Sequence, residues 1–249
     1  MSAGGDRLAS IAEHYDTHLA EHYSWLFGGL PQRIEENLAL FGELGIAPVL
    51  SKRALDFGAG TGFQSVPLAR LGFSVTAIDL SRSLLAELEA NAKGLPVRAV
   101  CDDVLHFVAS AEGDVELAVC MGDTLTHLST FGDVQRLFRE TFRLVAPGGR
   151  FVLAFRDFTS ELVGKARFIP VRADASTVFT CFLEYEGDHV RVYDVIHRRN
   201  FEAWEMKVSA YKKLRIAPDW AEKRLRETGF TVVRSEDRRG MRTILVQKP

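Results

Sequence analysis

Ala54-Leu55-Asp56-Phe57-Gly58-Ala59-Gly60-Thr61-Gly62-Phe63 opens as an apolar run holding one acid and closes as three glycines at alternate positions. A helical spacing of apolar residues, Val66, Leu68, Ala69 and Leu71, follows it. The succession predicts a strand turning sharply into a helix N-terminus. Gly58, Gly60 and Gly62 lack the side chain that would bar unusual backbone angles, so the turn can be tight and a ligand can approach the main chain. A nucleotide-like molecule is the expected occupant.

Spacing narrows the choice. Dinucleotide folds use G-x-G-x-x-G, with an acid about twenty positions later on a second strand. Here the glycines read G-x-G-x-G behind Asp56, and the next buried strand, Val75-Thr76-Ala77-Ile78-Asp79, ends in a carboxylate suited to ribose hydroxyls. The combination resembles the class I S-adenosylmethionine-dependent methyltransferases, whose first motif is acidic-x-G-x-G-x-G. The resemblance implies S-adenosyl-L-methionine as cofactor, held by Asp56, Gly58, Ala59 and Gly60, and by Asp79 with Leu80 beside it.

Further features follow in family order. A strand at 96–100 runs into Cys101-Asp102-Asp103-Val104. The related enzymes place an acid for the adenine amino group and an apolar neighbour for the ring here, which implies Asp103 and Val104, with Asp102 as the alternative. Val115–Cys120 reads as strand four, and Met121-Gly122-Asp123-Thr124-Leu125-Thr126-His127-Leu128 lies at its end, where open parallel sheets gather functional groups. Met121 and Gly122 are cofactor candidates. Asp123, Thr124 and His127 are acceptor-facing candidates, with helix capping or a structural imidazole as the plainer roles. A Pro147-Gly148-Gly149 turn before strand five, at 150–155, extends the resemblance across 55–155.

The expected fold is α/β. A seven-stranded Rossmann-like sheet, mostly parallel with one antiparallel strand, carries N-terminal helices and an antiparallel β insertion after strand five. Its parts are a helical cap over 1–50, the cofactor-binding core over 51–165, a β-rich insertion over 166–215, and a closing helix and hairpin over 216–249. In the cap, Leu8, Ile11, Ala12, Tyr15, Leu19, Tyr23 and Leu26 predict one amphipathic helix from about Asp6 to Phe27. Such helices lie across the cofactor site in the related enzymes, which makes Tyr15 a substrate candidate and Tyr23 a catalytic one; packing is the alternative. His14, His18 and His22 read as a solvent-facing stripe, since no further ligands accompany them. In the insertion, Tyr193, His197 and Tyr211 are expected to share a face over the acceptor, while Trp204, Met206, Val208 and Ala210 form an apolar face opposite Tyr211.

Composition sets the outer bounds. With 249 residues, 47% hydrophobic and 26% charged, the chain can bury one sizeable core with an insertion. A net charge of −2 gives no general pull toward nucleic acid, and Arg234, Arg238, Arg239 and Arg242 read as a solvated hairpin. Cys101, Cys120 and Cys181 lack paired metal-ligand spacing and suit reduced thiols, so a cytoplasmic protein without a metal is expected. No apolar run approaches ~20 residues and no signal-peptide pattern is present, which disfavours a membrane span. The assembly is left as monomer or homodimer.

The acceptor is read from two short segments. Signatures like Asn-Pro-Pro-Tyr, found in base and glutamine modification, do not follow strand four. Phe155-Arg156-Asp157-Phe158 resembles the Arg-Asn-Tyr-Asp segment of glycine/sarcosine-type N-methyltransferases, where the arginine holds the substrate carboxylate. Residues 122–128 resemble that family's Gly-Asn-Ser-Leu-Pro-His-Leu. The departures are Asp123 for Asn and Asp157-Phe158 for Asn-Tyr, and Arg156 has a second reading as the structural partner of Asp123 or Asp157. The expected activity is methyl transfer to an amine nitrogen of a small carboxylate-bearing metabolite, with O-methylation or a non-catalytic binding protein as alternatives. His127 and Tyr23 are the catalytic candidates; Asp123, Arg156, His197, Tyr211 and Tyr15 are the substrate-binding ones.

Overall fold

The computed structural model describes residues 10–19, 23–26, 28–201, 203–238 and 240–249. Asp6, Leu8, His22, Phe27 and Arg239, and the side chains of Ile11 and Ala12, lie outside the described residues. The parallel core consists of β1 (Arg53–Phe57), β2 (Ser74–Asp79), β3 (Val97–Cys101), β4 (Val115–Cys120) and β5 (Val145–Phe155). All six residues of β4 are buried, as expected of a strand covered on both faces by crossover helices. The insertion supplies β6 (Phe168–Ala173), β7 (Thr177–Glu186), β8 (His189–Asn200) and β9 (Ala203–Leu214), and the chain closes with β10 (Thr231–Arg238) and β11 (Met241–Gln247).

The large sheet has the order β10-β11-β5-β4-β1-β2-β3, with β11 antiparallel to both β5 and β10. Chain order reverses between β1 and β4, so the turns leaving them part to opposite sides and open a crevice at their carboxyl ends. The expected site residues Gly58–Gly60 and Met121–Asp123 sit on those turns. On one face pack α3 (Leu30–Glu43), α4 (Ser65–Arg70) and α5 (Arg82–Asn91); on the other α6 (Val104–Ser110), α7 (Phe131–Leu144) and α8 (Pro218–Thr228). Ser81 caps α5 by accepting from the Leu84 N–H, which fixes the chain leaving β2.

Three details differ from expectation. The N-terminal helix is not continuous: α1 (Ile11–His14) opens into a π-helical turn at Tyr15–Leu19, and α2 (Tyr23–Leu26) follows. Pro147-Gly148-Gly149 lies inside β5 rather than before it, as an irregularity between the Val115–Val145 and Leu117–Arg150 pairs. Gly149 is required there because a Cβ would stand 2.8 Å from Val145 and 2.9 Å from the Glu116 carbonyl. The insertion also has a fourth strand, β6, so its sheet runs β6-β7-β8-β9, antiparallel throughout. No helix among the described residues is long and apolar enough to cross a membrane.

Phe151 centres the core under the crevice, its ring within 6.1–6.4 Å of those of Phe57, Phe138 and Phe230 and its side chain fully buried. Phe151→Ala should lower unfolding free energy by about 3–5 kcal/mol, read as a shifted urea midpoint at unchanged slope.

Candidate active site

At the turn after β1, Gly58, Gly60 and Gly62 all take positive φ, and a Cβ on Gly58 would stand 2.1 Å from the Thr124 hydroxyl oxygen. The two strand ends therefore interlock. Asp79, at the end of β2, accepts from the Gly60 N–H at 2.8 Å and the Ser81 N–H at 2.9 Å, and burial raises its carboxyl above the usual range against those bonds. Asp56 is buried, takes a 2.6 Å hydrogen bond from Ser65 on one oxygen, and has no partner among the described residues on the other. Burial lifts it to about 7.

These features fit S-adenosylmethionine. An orphaned buried carboxylate oxygen beside a glycine turn calls for a cationic or hydrogen-bonding ligand group, and Asp79 has the acceptor character a diol needs. Leu80, at 40% exposure, and buried Met121 and Val104 add apolar surface around the same strand ends. Asp103 caps α6 by accepting from the Leu105 and His106 N–H groups, whereas Asp102 holds the His106 ring at 2.8 Å.

Over this crevice lies the N-terminal segment. Tyr23 covers the glycine turn, its hydroxyl 3.2 Å from where a Gly60 Cβ would be, and its ring stacks on Phe63 at 5.7 Å. Rings then follow one another: Tyr23 to Tyr15 at 6.0 Å, Tyr15 to His127 at 5.8 Å, His127 to Tyr211 at 5.4 Å, Tyr211 to His14 at 4.2 Å. An aromatic line thus joins the cofactor end to the insertion. Tyr15 Oη lies 3.2 Å from His127 Nε2, and His127 Nδ1 is buried without a partner among the described residues. Burial, helped by the nearby Lys213 charge, pushes the His127 imidazole down to about 3, so it stays neutral at ordinary pH.

His14 and His18 of the histidine stripe face the insertion rather than solvent. His14 is 1% exposed, with Nε2 3.0 Å from Asp194 of β8 and Nδ1 2.8 Å from Ser209 of β9, and His18 Nε2 lies 3.1 Å from the Asp194 carbonyl. His14 is buried and His18 half-buried because the insertion offers them hydrogen-bond partners, which the local helical pattern could not reveal.

Asp123 stands at the end of β4 with left-handed backbone (φ 75°) and 3% exposure. One oxygen accepts from the Arg156 N–H at 2.8 Å; the other accepts from the Arg156 guanidinium at 2.7 Å and the Lys213 ammonium at 2.9 Å. Burial alone would raise this carboxyl, but the Lys213 and Arg156 charges outweigh it and hold it well below the usual carboxylate range. Asp157 takes no part, accepting instead from Thr159. Lys213 was missed by sequence reasoning, although it lies two residues beyond Tyr211 and hence on the same strand face.

One expected grouping does not form. Tyr211 pairs with Val192 and shares the inner face of the insertion with Asp194 and Ser209, whereas Tyr193 and His197 alternate onto the outer face with Met206. Tyr193 donates to Glu184 there. Strand parity thus removes His197 from the site. Cavities of about 260 Å³ beside Arg139 and Arg224, and about 180 Å³ beside Glu116 and Arg150, also lie away from it.

Asp79→Ala frees the Gly60 N–H and, if Asp79 accepts from a ribose diol, removes that acceptor too. With hydrogen bonds to charged groups worth about 1.5–3 kcal/mol, S-adenosylmethionine affinity measured by calorimetry should fall at least about tenfold.

Residues 54–149 match the family described as a methyltransferase domain. A glycine/sarcosine N-methyltransferase of Aphanothece halophytica is 25% identical over 72% of this chain and 66% of its own length. A ubiquinone biosynthesis O-methyltransferase of Caulobacter sp. (strain K31) is 30% identical over 49% of this chain and 48% of its own. The chain therefore spans less than two thirds of either relative. Among solved structures, S-adenosylmethionine-bound CalS10, an amino pentose methyltransferase from Micromonospora echinaspora, superposes with TM-score 0.74 at 15% identity, over 93% of this chain and 97% of that one. The domain match and the superposed fold agree: residues 54–149 form a methyltransferase domain, set in a chain with the fold of S-adenosylmethionine-dependent methyltransferases.

Proposed function

We propose that this protein transfers a methyl group from S-adenosylmethionine to an amine nitrogen of a small carboxylate-bearing molecule. The observation that carries the reading is the two-pole site at the ends of β4 and β5. One pole is the ring line of Tyr15, His127 and Tyr211; the other is Asp123 with two cations on it, a cluster of net charge +1 whose Asp123 and Lys213 are buried. Ring faces stabilise the positive charge that reaches the amine nitrogen as it takes the methyl group, and surplus guanidinium and ammonium donors suit a carboxylate pole. The glycine/sarcosine N-methyltransferase relative points the same way. The free thiols Cys101, Cys120 and Cys181 suit a reducing, cytoplasmic setting.

Bound S-adenosylmethionine supplies an already activated methyl group, so the chain's work is placement and exclusion of water. In this reading Asp79 and the Gly58–Gly60 backbone hold the cofactor, with Asp56, Asp103, Val104, Leu80 and Met121 around it. Tyr23 closes the glycine turn, while Tyr15 and Tyr211 bracket the neutral His127 over the acceptor. Arg156, whose side chain is 54% exposed although one nitrogen is held by Asp123, has donors to spare for the acceptor carboxylate. The surplus positive charge disfavours an ammonium, so the acceptor binds as the free amine.

Radiolabelled methyl transfer to a panel of amines, hydroxy acids and phenols should favour carboxylate-bearing amines; transfer to phenols alone would establish O-methylation. Esterifying the acceptor carboxylate should weaken binding to wild type more than to Arg156→Ala, and an equal penalty would make Arg156 purely a partner of Asp123. Because His127 is neutral above about pH 3, kcat/KM should rise with pH through the acceptor amine's own pKa with no inflection near 6.5. An inflection there that His127→Gln removes would make His127 the proton acceptor instead.

A further inference from the structure

Lys213 reaches from β9 of the insertion to the end of β4, and its whole side chain is 6% exposed. Among the described residues, its ammonium has one hydrogen-bond acceptor, Asp123 Oδ2, and two ring faces lie near it, Phe158 at 5.6 Å and Tyr211 at 5.7 Å. An ammonium has three donors. Two of them are therefore unspent in a place where water is scarce, and desolvating a charge with incomplete hydrogen bonding is costly. The same Asp123 oxygen is already held by Arg156 at 2.7 Å, so one negative charge balances two positive ones. The next buried acid on this face, Asp194, is committed to His14 and to the Cys181 thiol. A fold-stabilising pair would need one cation. A second on the same oxygen leaves room for one more anion.

We propose that Lys213 is a specificity-determining residue, the inner member of a two-cation clamp, with Arg156 as the outer, that takes the anionic group of the acceptor. The inference rests on the carboxylate reading given above and adds a residue of the insertion to it. Lys213 and Tyr211 stand two apart on one strand face, so the insertion presents a charge and a ring to the two ends of a short amino acid-like molecule. Arg156 alone, half exposed, would admit anions of many sizes; the buried ammonium sets the depth at which the carboxylate must sit.

The test uses acetate as a minimal carboxylate and acetamide as its neutral counterpart, titrated at constant ionic strength into the whole protein with S-adenosylhomocysteine present, while melting temperature is followed. Acetate and not acetamide should stabilise wild type. Lys213→Met should weaken the apparent acetate affinity at least about tenfold while leaving S-adenosylhomocysteine affinity unchanged. Lys213→Arg should restore part of it. If Lys213→Met is too unstable to melt cleanly, Lys213→Gln, which keeps an N–H donor for Asp123 without the charge, replaces it and should also weaken the acetate response. An acetate response undiminished in either variant overturns the role of Lys213 while leaving the carboxylate reading intact. No acetate response in wild type overturns both.

Discussion

A carboxylate at position 123, buried to 3% exposure, constrains everything around the crevice. An unpaired charge there would cost several kcal/mol, so the chain must bring donors to it from wherever it can. They come from two places: the main chain and side chain of Arg156, directly after β5, and Lys213 of the insertion. The first set fastens neighbouring strand ends. The second ties a sheet far along the chain to the core, so the position of the insertion, and with it Tyr211, follows from satisfying one side chain.

The cap is placed by a comparable device. Three successive residues each bind a different partner: His14 meets Asp194 and Ser209 of the insertion, Tyr15 meets His127, and Asp16 accepts from Ser81 and Ser83 at the start of α5. An α-helix spreads three successive side chains over some 200° of its circumference, which suits a segment lying in a cleft between core and insertion. The helix widens into its π turn at Tyr15, where one turn must serve both walls. Tyr23, beyond that turn, then falls over Gly60.

Much of the architecture was legible because its signals are local. Alternate glycines behind Asp56 and a buried strand ending at Asp79 each specify their own neighbourhood. What was not legible depends on pairs far apart in sequence. His14 looked solvent-facing because its acceptor is 180 residues away, and Lys213 looked like one more charge on a strand because its partner is 90 residues away. The grouping of His197 with Tyr211 failed for a different reason. Two strands joined by a loop can be phased only once their register is known, and the observed Tyr211–Val192 pairing turns His197 outward.

Strand register therefore also determines which chemistry the insertion brings to the core. In the observed pairing, the inner face carries Asp194, Ser209, Tyr211 and Lys213, which is polar, aromatic and cationic, while Trp204, Met206 and Val208 face outward at 49–61% exposure. A shift by one residue would exchange these faces and bury the apolar set over the crevice, leaving Asp123 with Arg156 alone. Against that shift stand the hydrogen bonds of Asp194 and Ser209 to His14 and of Lys213 to Asp123, each of which requires the same register. The polar contacts that assemble the site are thus also those that specify the pairing of β8 with β9, and the site and the fold of the insertion stand or fall together.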